Sequence, residues 1–258
     1  MSSSARNRCT VGCSTVGDHR ADQGIDPYPG GMTEQGSRWS SAVEDYVRAI
    51  YGLVERDEPV TNTTLATRMG VNPSSASGMV TKLGQAGLVA HAPYRGIELT
   101  AAGEMLARGV LRRHRLIESY LVSELGYTWD EVHREADQLE HVVSDRFVER
   151  VAGKLGHPER DPHGDPIPAA DGSIEQLQTR MLDELEAGSV GQIVRVWDTD
   201  PELLRYLSDR AIKLGERIEV VERQPFDGPV VVNVGPGAAA ATHALGRQIA
   251  QSVLVAVR

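Results

Sequence analysis

Residues 72–89, NPSSASGMVTKLGQAGLV, carry the reading on which the fold turns. Asn72-Pro73 sets a helix N-cap beside a proline at the first helical position, and so predicts a helix over Pro73–Ala86. Ala76, Met79, Val80 and Leu83 recur at helical spacing and form its inner face. Ser74, Ser75, Ser77, Gly78, Thr81 and Lys82 form its outer face, and Gly87 ends it.

Upstream, Thr61–Met69 reads as a short helix with Leu65 and Met69 inward, and Gly70-Val71 turns the chain. Ser40 and Ser41 can cap a helix to about Glu55, with Val43, Tyr46, Val47, Ile50, Tyr51 and Val54 as its apolar stripe. Asp45 also lies in that helix. Downstream, strands around Leu88-Val89 and Ile97–Leu99 flank a loop, His91–Gly96, that contains Tyr94 and Arg95. Helix, short helix, sharp turn, small-polar helix and hairpin is the layout of a winged helix-turn-helix.

The whole chain has 258 residues, 40% hydrophobic, with net charge −9. That length suggests two domains rather than one, and the overall charge argues against a nucleic-acid partner. The distribution argues otherwise. From Thr61 to Ile97 there is no Asp or Glu, while Arg68, Lys82 and Arg95 are present. Small hydroxyl side chains let a helix approach base edges, and no carboxylate repels phosphate. Asn72, Ser74, Ser75, Ser77, Lys82 and Arg95 are therefore the candidate DNA contacts; a merely solvated serine face is the plainer alternative.

Thr100 caps a long helix from Ala101 to about Glu124, on which His114 and Glu118 lie one turn apart. From Glu124 to Glu186 there are sixteen acids against six Lys or Arg, so this part suits cations. Within it runs Val132–Ser144, VHREADQLEHVVS. His133, Asp137, Glu140 and His141 share one stripe of a helix there, because 3.6 residues make a turn. Two imidazoles and two carboxylates are costly to bury unless paired or holding a metal, and they match transition-metal ligands. A lone His133 would be read as an ordinary surface or core histidine. The helix is expected to run on through Phe147, Val148, Val151 and Leu155, with a break allowed.

Residues 154–171 should form a structured loop and linker, followed by a short amphipathic stretch at 174–185. Val- and Ile-rich strands are expected at 190–197, 217–222, 229–234 and 252–257, with a helix over 201–214 and a Gly/Ala turn at 235–241. A small β-barrel of roughly 70 residues fits this pattern. Residues 1–37 have no apolar periodicity and should be disordered; Met32 offers a later translation start. Cys9 and Cys13 both lie there, which leaves the folded part no disulfide frame and points to a reducing, cytoplasmic setting. No apolar run approaches a membrane span or a secretion signal.

These motifs together resemble the diphtheria-toxin-repressor family of metal-dependent transcriptional regulators. The carriers are VEDYVRAIYGL, NPSSASGMVTKLGQAGLV, YRGIELTAAG, RRHRLIESYL, VHREADQLEHVVSD and HPERDPHGDPIP, from about Ser41 to Pro168. The C-terminal part looks like the SH3-like, or FeoA-like, domain of the longer members. The resemblance implies a mainly α protein with a small β part. It divides into a disordered extension (1–37), a winged helix-turn-helix (38–108), a helical dimerisation and metal domain (109–171), a linker (172–186) and the SH3-like domain (187–258). It implies a homodimer that binds a palindromic double-stranded DNA operator when loaded with divalent metal. That makes the chain a regulator, expected to be a repressor, of metal-homeostasis genes.

Carried over position by position, the resemblance puts a primary metal site on Asp45, Asp137, Glu140 and His141, and an ancillary site on His114, Glu118 and His133. Asp198, Asp200 and Glu202 are the nearest SH3-domain candidates for the ancillary site. In the iron-responsive branch the positions of Asp45 and Asp137 hold Met and Cys; two hard carboxylates here favour Mn²⁺. Fe²⁺ is the alternative, and Zn²⁺ or Co²⁺ are expected to bind in vitro. The manganese branch commonly has a bridging Glu one turn after the Asp; here that position is Arg48, so a mononuclear primary site with a separate ancillary site is expected. Two readings of other classes stand beside this one. A hydrolase with Glu140 as general base lacks the HExxH spacing and any nucleophile motif. A winged-helix sensor of an organic ligand would show no metal effect on DNA affinity.

Overall fold

The computed structural model describes residues 39–92, 96–176, 178–197 and 200–257. The expectations for residues 1–37, Arg95 and Asp198 lie outside them.

Helix α1 (Ser41–Glu55) buries Val43, Tyr46, Val47, Ile50 and Leu53. Val54, expected on that stripe, is exposed, and Leu53 takes the inward position. Ser40 occupies the cap position without a side-chain cap bond. Helix α2 (Asn62–Arg68) opens on a capping box in which Thr61 and Thr64 exchange side-chain and backbone bonds. Helix α3 (Pro73–Gln85) starts where Asn72 Oδ1 accepts from the Ser75 backbone N–H at 2.8 Å, and Ala76, Val80 and Leu83 are buried. Strands β1 (Val89–Ala92) and β2 (Gly96–Leu99) pair antiparallel to complete the winged helix.

Helix α4 (Ala101–Leu125) is the spine. Thr100 caps it by accepting from Gly103 N, and its hydroxyl donates to Gly87 O at 2.7 Å. Gly103 lies so near the wing that a Cβ would fall 2.0 Å from Leu88 O. Ala107, near the start of α4, packs in the winged-helix core, whereas Leu116 and Ile117 belong to two smaller cores of the helical domain. The boundary expected after residue 108 therefore lies inside one unbroken helix.

Helices α5 (Val132–Leu139) and α6 (Asp145–Lys154) are separate. The stripe expected to continue through Ser144 ends at Glu140, the C-cap of α5, and His141 lies in the following turn. Ser144 restarts the chain by capping α6 through Phe147 N.

The C-terminal domain is a six-stranded antiparallel sheet in the order β3 (Arg180–Met181), β8 (Val253–Val257), β4 (Val190–Val196), β5 (Arg217–Arg223), β6 (Val230–Val234), β7 (Ala241–Leu245). Helices α7 (Pro201–Asp209) and α8 (Arg247–Ser252) accompany it. The amphipathic stretch at 174–185 contains β3 and one 3-10 turn at Leu182–Glu184. Helix α7 stops five residues short of the expected 214, where Ala211 takes a positive φ of 54°. Most of the unexpected β7 follows the Gly/Ala turn.

The three domains meet at a buried ionic junction. Arg195 of β4 pairs with Asp165 of the helical domain and lies 3.6 Å from Glu55 of α1. Arg115 of α4 faces the same two acids, at 3.1 Å and 3.6 Å. Trp197 lies under Arg195, with the guanidinium carbon 3.8 Å from its ring centroid. Removing Arg195 leaves the buried Asp165 and the part-buried Glu55 facing Arg115. Arg195→Ala should lower stability by about 3 kcal/mol, the low end of the range for a broken buried pair because Arg115 still faces Asp165. Urea unfolding would measure this, with faster proteolysis between residues 169 and 179 as the sign of an undocked C-terminal domain.

Candidate metal centre and DNA face

Asp45 is half-buried on α1, and the turn after α5 brings His141 to it. His141 Nε2 is 2.9 Å from Asp45 Oδ1 and 3.3 Å from Glu140 Oε1. The other ring nitrogen faces Glu44 Oε2 at 2.8 Å, and Glu44 Oε1 accepts from Arg113 at 2.8 Å. Arg113 also donates to the Glu140 backbone carbonyl. A carboxylate that takes the Nδ1 proton leaves Nε2 as the ligand atom, the usual arrangement behind a metal-bound histidine. Glu140 is 1% exposed, and its Oε1 has no hydrogen-bond partner. A buried carboxylate oxygen without a donor is costly, so an incoming cation fits this place. Burial pushes the Asp45 carboxyl up, against the pull of His141 and Arg48.

A second cluster forms where α4 faces α5. His114 Nε2, Glu118 Oε1 and His133 Nδ1 lie 2.9, 3.1 and 3.3 Å from one another. His114 is buried, which works against its charge, but Glu118 and Glu140 outweigh burial and raise it to about 9. Its Nδ1 stands 2.6 Å from Glu140 Oε2, so in the charged ring both nitrogens donate to carboxylates. The 3.0 Å approach of Arg48 to that same nitrogen is then a close contact between cations, not a hydrogen bond. Burial acts to raise Glu118, yet His114 and the histidines around it hold it well below the usual range.

Two residues outside the predicted set extend this cluster. Asp161 and His163 come within metal-ligand spacing of Glu118, all three buried. His163 Nε2 lies 2.7 Å from the Trp129 carbonyl, which fixes the proton there and turns Nδ1 toward Glu118 Oε2 at 3.8 Å. Glu118 Oε2 has no hydrogen-bond partner. Burial, with Asp165 and Glu118 nearby, pushes Asp161 well up. Their signal in the chain was the Asp-Pro-His-Gly-Asp run at 161–165; that of Glu44 was an acid placed between inward-facing Val43 and Val47.

Asp137 does not join Asp45 and His141 here. It groups with His114 and Glu140, around the Arg48 guanidinium. Asp200 Oδ1 caps α7 by accepting from Glu202 N at 2.9 Å, and Glu202 is exposed; neither is among the groups at metal-ligand spacing. The C-terminal domain reaches the helical domain by other means: Trp129 donates to Ser208 at 2.7 Å, and Arg205 pairs with Asp130 at 3.2 Å. A cavity of about 580 Å³ opens over Asp45, Arg48, His114, Glu118, Asp137 and His141.

On α3, Asn72, Ser74, Ser75, Ser77 and Lys82 are all exposed. Asn72 spends its Oδ1 on the cap, where the Ser74 hydroxyl also donates at 2.7 Å.

The comparisons bear on each part in turn. Residues 39–97 match "Iron dependent repressor, N-terminal DNA binding domain", residues 100–169 match its "metal binding and dimerisation domain", and residues 180–257 match the FeoA domain. The iron-dependent repressor IdeR of Mycobacterium tuberculosis is 33% identical over 204 residues, covering 74% of this chain and 88% of its own length. The chain belongs to the diphtheria-toxin-repressor family. The diphtheria toxin repressor of Corynebacterium diphtheriae is 30% identical, covering 74% of this chain and 87% of its own. A solved manganese-dependent transcriptional repressor in complex with manganese superposes with a TM-score of 0.80 at 43% identity, over 84% of this chain and all of that one. This member is thus a metal-dependent, DNA-binding transcriptional repressor and not an enzyme. No helix among the described residues is long and apolar enough to cross a membrane.

In this family member the raised His114 gives a pH signature. A group held at about 9 when folded and about 6.5 when unfolded contributes stability that is complete below about 6.5 and is lost as pH rises through about 9. In chelator, the denaturation midpoint should fall over that window, and His114→Gln should remove most of the fall.

Proposed function

We propose that the chain is a manganese-responsive repressor that binds a palindromic operator as a homodimer and controls genes of metal homeostasis. Asp45, Glu140 and His141 form the primary site, and His114, Glu118 and His133 the ancillary one, with Asp161 and His163 beside it; Asp137, expected in the primary site, stands next to it with His114 and Glu140 around Arg48. The observation that carries the reading is the ligand set. It is rich in carboxylate oxygen, contains imidazole and has no sulfur, as suits Mn²⁺ better than thiophilic metals. The likeness to solved manganese-dependent repressors supports the same choice. Fe²⁺ is the second reading, favoured by the IdeR relatives.

The linkage is built into the elements. Asp45 belongs to a helix of the DNA-binding domain, whereas Glu140 and His141 belong to the dimerisation domain. A bound divalent ion supplies positive charge shared across that seam. The coupling equals the difference in ion affinity between the domain arrangements that do and do not fit the operator. In the dimer, each α3 presents Ser74, Ser75, Ser77 and Lys82 to one half-site, about 34 Å from the other.

The test is a titration with an operator-sized duplex selected by the Mn²⁺-loaded protein, repeated with Fe²⁺, Zn²⁺, Co²⁺ and chelator. Asp45→Ala and Glu140→Gln should bind DNA equally with and without Mn²⁺, a loss of roughly 5- to 150-fold stimulation per coupled site. Unchanged melting in chelator would show the fold intact; retained Mn²⁺ stimulation in both variants would refute the assignment. Lys82→Ala should weaken binding to every sequence alike and lower the salt slope by about one.

A further inference from the structure

Helix α3 carries a glycine, Gly78, near its middle. A glycine inside a helix costs about fivefold in the folding equilibrium relative to alanine. Nothing within the folded chain asks for it. Gly78 is not among the residues of positive φ, it is exposed, and a Cβ built on it meets nothing within 4 Å.

Gly52, Gly109 and Gly153 are equally open, but on other helices. Gly78 differs by its place. Ala76, Val80 and Leu83 are the buried residues of α3. At 3.6 residues per turn, Gly78 projects about 170° from the middle of that stripe, on the crest facing away from the protein. Gly84, the other glycine of α3, lies about 70° round, on the flank. The crest stays low on either side of Gly78. Ser74, one turn before it, turns its hydroxyl back to donate to Asn72 Oδ1 at 2.7 Å. Thr81, one turn after it, donates to the Ser77 carbonyl at 3.0 Å. A major groove is about 12 Å wide and a helix with ordinary side chains about 10–12 Å across, so the fit leaves little room. Side chains as short as these reach base edges only when the helix backbone itself comes close.

We propose that Gly78 is a specificity-determining residue: its bare backbone lets α3 settle into the major groove until Ser74, Ser75 and Thr81 touch base edges, and a side chain there holds the helix off the bases. The inference rests on the reading that α3 is the helix that enters DNA. The glycine gives up helix stability for closeness of fit. Contacts to phosphate, that of Lys82 among them, position the protein and do not depend on that closeness.

The experiment uses the full chain with Mn²⁺ and measures affinity for the duplex selected by the wild type and for an unrelated duplex, alongside urea unfolding in chelator. Gly78→Ala should be more stable than the wild type, by about fivefold in the unfolding constant. It should nevertheless bind the selected duplex about tenfold to a hundredfold more weakly, the effect of spoiling one base-pair contact, and bind the unrelated duplex as the wild type does. Gly84→Ala, on the flank of the same helix, should also be more stable and should bind both duplexes as the wild type does. The proposal is overturned if Gly78→Ala binds the selected duplex normally, if it weakens both duplexes equally, or if Gly84→Ala shows the same loss. It is also overturned if Gly78→Ala is less stable than the wild type, because the glycine then serves the fold. Normal binding by both Gly78→Ala and Lys82→Ala would refute the reading of α3 itself; weakened binding by Lys82→Ala alone would remove only the role of Gly78.

Discussion

The constraint that organises this molecule is the placing of carboxylates inside protein. Glu44, Glu118, Glu140, Asp161 and Asp165 are all nearly inaccessible to water. Buried charge is tolerated only when it is paired and hydrogen-bonded. Arg113 answers Glu44, Arg115 and Arg195 answer Asp165, and Arg48 answers one oxygen of Glu140. Two oxygens stay unanswered, Glu140 Oε1 and Glu118 Oε2, and each lies in a cluster at metal-ligand spacing. Those two oxygens are the ones a bound cation could satisfy.

The same elements join the DNA-binding and helical domains. Helix α4 has its N-terminal part in the winged-helix core and its middle in the helical domain, so it fixes their average relation. The finer orientation is left to groups across the seam: Asp45 against His141, Arg48 against Asp137, Glu55 against Arg195. Such ionic contacts change with their surroundings more readily than packed apolar ones. The C-terminal sheet enters this seam through Arg195 and Trp197. Its expected acidic contributors, Asp200 and Glu202, lie at the start of α7 instead, with Asp200 as the cap.

Much of this was legible in the chain. The asparagine cap and proline start of α3, and the helical spacing of Ala76, Val80 and Leu83, announced the helix, and the acid-free window marked the domain that matches a DNA-binding one. The Val-rich runs announced most strands, since β-branched residues suit a pleated surface. The end of α5 was harder. Val132–Ser144 has helical periodicity throughout, and the break after Leu139 shows in the sequence only as Ser144, a cap that also reads as a helix surface residue. β7, Ala-Thr-His-Ala-Leu, carries no strong β-propensity; its pairing with β6 is what makes it a strand.

By itself, the sequence determined which residues could bind metal and which helix could face DNA, because ligand chemistry and helical period are local properties. Only the tertiary structure decided how the ligands are shared. Spacing along α5 put Asp137, Glu140 and His141 together, but the helix ends at Glu140 and the turn carries His141 to Asp45. Asp137 is left facing Arg48. Which carboxylate oxygen meets which cation depends on distances between helices remote in the chain, and no periodicity encodes those. For the same reason Glu44, Arg113, Asp161 and His163 entered the site only when α1, α4 and the loop at 157–167 were packed together.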